Sequence, residues 1–197
     1  MEALRFINKI NDREIDFLYH LINKNIWSIE SDNVEIDFIN QGTFKFCEWI
    51  KIIIYDGLYS YFFKYNYDET YAGDDFITLS IEAKEDKERK SLNSSISFIR
   101  ENFKIKKIEV YAEEWLHKTI WDMDSRVVGN VSLIKNSEFQ EYIYNQNILL
   151  IYAGDNKRIL IMCRYSYLEL VVTQDENFIK KFFKEGGEYI KLVNVIE

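Results

Sequence analysis

Proline is absent from the 197 residues, cysteine and histidine occur twice each, and the seven glycines are scattered. Each scarcity removes a class of chemistry. With only His20 and His117, a Ser-His or Cys-His relay must use one of them, and neither a GxSxG nor a local cysteine-histidine signature is present. The glycines build no GxGxxG or P-loop to cradle a nucleotide, and no HExxH or EF-hand loop occurs. Cys47 and Cys163 lie far apart in apolar, strand-like runs without CxxC spacing, so they read as buried free thiols in a reducing compartment. The longest apolar runs, such as "NILLIYAG", fall short of the roughly 20 residues a membrane helix needs. The start, "MEALRFINKINDRE", has no basic segment leading into an apolar one. These features predict a cytoplasmic protein with no membrane partner and no cofactor. Missing proline beside abundant Ile, Asn, Lys and Tyr is an AT-rich codon signature of the kind low-GC bacteria carry.

What is present is an apolar, aromatic and acidic chain. Apolar residues make up 47% and aromatics 16%, too much for a disordered polymer, so the formal charge of -8 belongs to a folded surface. No Gly/Ser/Pro linker or repeat divides residues 1–197, which are expected to form a single globular domain. A negative field repels phosphate backbones and anionic lipids, so nucleic acid is not expected as a primary ligand; a basic protein is the expected partner.

Periodicity then suggests the elements. "NDREIDFLYHLINK" carries Ile15, Leu18, Leu21 and Ile22 at helical spacing behind an Asn11 or Asp12 cap. "VEIDFI" (34–39), "TFKFCEWIKIIIY" (43–55), "LYSYFFKYNY" (58–67) and "DFITLSIEA" (75–83) read as strands. "SLNSSISFIRENF" (91–103) has a helical stripe, "KIEVYA" (107–112) a strand pattern, and Ser137 with Gln140 resembles a capping box opening a short helix to about Asn145. Three more strands follow, with a helix capped by Asp175 and ended by Gly186-Gly187, and "YIKLVNVI" is the last strand. The expected class is α+β, a mostly antiparallel curved sheet with about four helices packed mainly on one face.

The stretch "YDGLYSYFFKYNYDETYAGDDF" holds an Asp56-Gly57 turn signal. That turn sets Ile52 opposite Tyr61, Ile50 opposite Phe63, Glu48 opposite Tyr65 and Phe46 opposite Tyr67, so most of the tyrosine stripe is core. Beyond the paired segment, Tyr67, Asp68, Glu69, Tyr71, Asp74 and Asp75 gather acids and rings around Gly73. "AEEWLHKTIWDMD" repeats that character with Glu113, Glu114, Trp121, Asp122 and Asp124. Rings offer rigid contact area and carboxylates pair with Arg or Lys, so both segments are candidate surfaces for a basic partner.

Enzymatic patterns are thinner. Asp12, Asp16 and His20 share a helix side, and Asp122-x-Asp124 is a DxD, but each also reads as a solvated face. Asp75 followed by Glu82-x-Lys84 resembles the D…ExK pattern of PD-(D/E)xK nucleases, which would imply Mg²⁺ on the carboxylates and a lysine assisting the attacking water. No Pro-Asp precedes it, and the net charge opposes DNA. In profile the chain is similar to immunity proteins that neutralise toxins, a likeness of composition alone. The expected function is a non-enzymatic acidic protein-binding module, with the nuclease-like enzyme and a structural or oligomeric component as alternatives.

Overall fold

The β-branched and aromatic runs pair into strands throughout the computed structural model, which describes residues 4–30, 34–36, 43–46, 49–54, 59–69, 75–85, 103–120, 138–154, 157–164 and 169–197. In chain order the elements are β1 (Leu4–Asn8), α1 (Asp12–Leu21), β2 (Asn25–Glu30), β3 (Val34–Ile36), β4 (Thr43–Phe46), β5 (Trp49–Ile54), β6 (Tyr59–Glu69) and β7 (Asp75–Glu85). They continue with β8 (Phe103–Ile120), β9 (Glu138–Ala153), β10 (Arg158–Arg164), β11 (Glu169–Thr173), α2 (Glu176–Gly186), a 3-10 turn (Gly187–Tyr189) and β12 (Ile190–Ile196).

The strands form one sheet in the order β3-β4-β11-β10-β9-β8-β2-β5-β6-β7, with β12 also on β8 and β1 on β9. Among the described residues only β1 with β9 is parallel. The sheet curls until β7 lies against β9 and β10, and β6 approaches β11. Between the facing parts sits the main core, including Ile50, Phe63, Ile81, Ile108, Ile151 and Ile159, with Leu18 and Leu21 of α1 fully buried in it. A second cluster lies on the other side of the sheet, where Ile179 of α2 buries Ile148, Leu150, Leu160, Met162 and Val171. The second half of β9, with β10 and β11, is thus covered on both faces, which is why these segments read as unbroken apolar runs rather than alternating ones.

The ends of the elements follow from local chemistry. Asn11 Oδ1 accepts from Glu14 N at 3.0 Å while Glu14 Oε2 accepts from Asn11 N at 2.9 Å, a reciprocal cap on α1. The other oxygen of Glu14 accepts from Ile81 N at 2.9 Å, and Asn145 Nδ2 donates to Ile77 O at 3.1 Å. β7 ends the sheet order, so among the described residues its outward backbone groups have no strand partner, and these two buried side chains satisfy two of them. Asp175 caps α2 by accepting from Asn177 N and Phe178 N. After α2, Gly187 turns the chain at φ +49, and a Cβ on Gly186 would run into Ile190.

Several expectations are corrected. Two α-helices, not about four, stand among the described residues, and they serve opposite sides of the sheet rather than one. The helix expected from Ser137 to about Asn145 is instead the first half of β9, because residues 141–145 gain ladder partners on both edges, from β8 and β1. The helix expected over 91–103 falls outside the described residues except for Phe103, which begins a strand. The run 43–55 divides into β4, paired with β3 and β11, and β5, paired with β2 and β6, so Phe46 stands opposite Leu170 rather than Tyr67. Within β5 and β6 the expected register holds, with Ile52 opposite Tyr61 and Ile50 opposite Phe63.

Candidate functional site

The tyrosine stripe of β6 is buried in its middle and open at its ends. Tyr61 and Phe63 are core, Tyr65 is half-buried, and Tyr67 is 58% exposed. The β6–β7 ladder continues past Tyr67, setting Asp68 opposite Phe76 and Glu69 opposite Asp75. Tyr71 and Asp74 lie outside the described residues.

In the second segment β8 separates its two glutamates. Glu113 turns its carboxylate to the interior, where Oε2 accepts from Asn147 Nδ2 at 2.7 Å; Asn147 also donates to Cys163 O at 3.2 Å. Burial pushes the Glu113 carboxyl above its usual range, against the bond from Asn147. Burial and the nearby Glu113 charge raise the Cys163 thiol far above its usual value, which removes it as a nucleophile. Glu114 behaves oppositely: Lys191 at 2.6 Å and Tyr142 OH at 2.8 Å bind its carboxylate and hold it below the usual range. Trp121, Asp122 and Asp124 lie outside the described residues.

Around Glu114 the register assembles a surface that residue patterns alone did not reveal. Leu116 stands opposite Tyr142, which stands beside Arg5; Glu114 stands opposite Tyr144, which stands beside Ile7. Ile7 is 52% exposed and Leu116 53%. The alternate residues of β1 and β9 face the core side, where Asn8 Nδ2 donates to Asn145 Oδ1 at 2.8 Å. The short strand β1 carried the missing signal: in "LRFIN", an apolar Ile7 falls on the same face as Arg5.

A cleft of about 380 Å³ opens between α1 and β7, lined by Arg13, Glu14, Phe17, Glu82 and Lys84 among others. Glu82 is the carboxylate of the nuclease-like pattern. It lies 3.0 Å from Lys64 and 3.4 Å from Lys84, and these lysines, Lys64 foremost, hold it below the usual range despite some desolvation. Asp75 and Glu82 are seven residues apart on one uninterrupted strand. At about 3.3 Å per residue that is roughly 23 Å, too far to share a metal ion.

Other ionised groups are committed to structure. Burial alone would raise Glu109, but Lys107 at 2.7 Å, Tyr152 OH at 2.5 Å and Tyr111 OH at 2.7 Å outweigh it and lower the carboxyl. Arg158 grips Glu176 through two nitrogens and ties β10 to α2. His20 sits exposed in the last turn of α1. Among the described residues no group of three or more His, Cys, Asp or Glu side chains is gathered as a metal site needs. No helix among them is long and apolar enough to cross a membrane. Comparison with protein-family models, curated proteins and solved structures finds no match to this chain.

Proposed function

We propose that this chain is a non-enzymatic, acidic protein-binding module of the cytoplasm that docks on a basic partner, in the manner of an immunity-type inhibitor that neutralises a toxin. The observation that carries this reading is the loop end of the β6–β7 ladder. There an aromatic ring, Tyr67, is 58% exposed beside the directly opposed acids Glu69 and Asp75. A ring that lies flat on a partner excludes water, and an Arg or Lys set between two carboxylates relieves their repulsion. The formal charge of -8 adds long-range attraction for a basic surface. Within this reading Tyr71 and Asp74, which follow in the sequence, extend the same contact, and Asp68 holds the alternate register position of β6.

Affinity capture from the native lysate at low salt, followed by a high-salt wash and mass spectrometry, tests the proposal. The expected result is a stoichiometric basic protein released by salt. Glu69→Gln with Asp75→Asn should slow its association, and Tyr67→Ala should speed its release by about tenfold or more. Binding indifferent to salt and to these substitutions refutes it.

A further inference from the structure

We propose that the surface built by β1, β9 and β8 is covered by a second copy of this chain, related by a two-fold axis. The surface is a grid of six residues in which Leu116, Tyr142 and Arg5 form one row and Glu114, Tyr144 and Ile7 the next. Its corners alternate in character. Leu116 and Ile7, each about half exposed, occupy one diagonal, whereas Glu114 and Arg5 occupy the other. A partner of unrelated chemistry does not require that arrangement, but a self-complementary surface does.

Strands lie about 4.8 Å apart and alternate residues of one strand about 6.7 Å apart, so the corners mark a rectangle of about 10 by 7 Å. A two-fold axis in the plane of contact, along the Leu116–Ile7 diagonal, sets each of these side chains against its own copy. The same rotation brings Arg5 within side-chain reach of the second copy's Glu114, and Glu114 to its Arg5, so the ion pair forms twice. Strands of the two copies then cross at roughly 70°, near the orthogonal class of sheet packing, with the tyrosines filling the centre.

The charges suit this pairing. Arg5 has no carboxylate partner among the described residues, and its register beside Tyr142 places it on this face. Each Glu114 oxygen makes one bond, to Tyr142 or to Lys191, and a carboxylate accepts about four, so a guanidinium can join. On a chain of formal charge -8 this patch carries both signs, which spares two copies the repulsion that their acidic surfaces would otherwise impose.

Sedimentation velocity of the full chain over a wide concentration range should reveal a species of twice the 23.7 kDa chain mass. Arg5→Glu should weaken self-association by about a hundredfold, because it turns each ion pair into a like-charge contact. Glu114→Arg should do the same, and the two together, which restore opposite charges across the axis, should recover most of the affinity. Ile7→Ser and Leu116→Ser, milder changes at exposed positions, should weaken it about tenfold with unchanged circular dichroism. A chain of monomer mass at every concentration overturns the proposal. So does a dimer that Arg5→Glu and Ile7→Ser leave at full affinity, or singly weakened variants that the charge exchange fails to rescue.

Discussion

Glu109 and Glu113 lie four positions apart on β8, yet the fold shifts their carboxyls in opposite directions. Glu109 is lowered, so the stability it contributes is present above the ordinary carboxylate value and is lost as pH falls through its depressed value. Glu113 is raised, so its contribution is full below the ordinary value and is lost as pH rises through its elevated one. Stability should therefore fall on both sides of an intermediate pH, with a different residue responsible for each limb. Glu113→Gln should remove the loss at higher pH, since a neutral amide still accepts from Asn147 and costs less to bury; urea midpoints measured against pH should show a raised, flattened upper limb. Glu109→Gln should instead destabilise at neutral pH by about 1–3 kcal/mol, because three donors lose a charged acceptor.

At the scale of elements, burial on both faces makes α2 part of the core's foundation. Ile179 is fully buried against β9, β10 and β11, and Phe183 packs at a tilt against Tyr111, 4.8 Å between ring centroids. Ile179→Ala should cost about 2–4 kcal/mol, measured as a shift in the denaturation midpoint, and should speed amide exchange in β10 and β11. The two helices were legible in the sequence because each carries its own cap and apolar stripe: Asn11 with Glu14, and Asp175 with Gly187. Strands β5, β6, β7, β11 and β12 were legible for a similar reason, their alternation or apolar runs being bounded by turn residues. The first half of β9 was not, because Ser137, Gln140 and Ile143 imitate a helix start, and only neighbours distant in the chain turn the segment into a strand. That tertiary choice also hid the surface around Leu116. Tyr67 was legible as a candidate by type; its exposure was not, since it depends on where the β5–β6 pairing stops.

For the molecule as a whole, the sheet order records how the chain must assemble. Strand β4 pairs with β11 from Thr43 opposite Thr173 to Phe46 opposite Leu170, and the Thr43 and Thr173 hydroxyls meet at 2.7 Å in the interior. The segments that form this ladder lie far apart in the sequence, with six strands of the sheet between them in the chain. Closing so long a loop costs entropy before any contact compensates it, so folding should be slow, in the range of about milliseconds to seconds. Stopped-flow refolding should show that Thr43→Val slows folding little and accelerates unfolding, as expected of contacts made after the rate-limiting step. During synthesis the same topology obliges β3 and β4 to wait, already made but unpaired with β11, while well over a hundred residues are added. At about 5–20 residues per second that wait is several seconds or more, an interval in which a nascent chain rich in exposed strand segments depends on whatever shields it at the ribosome.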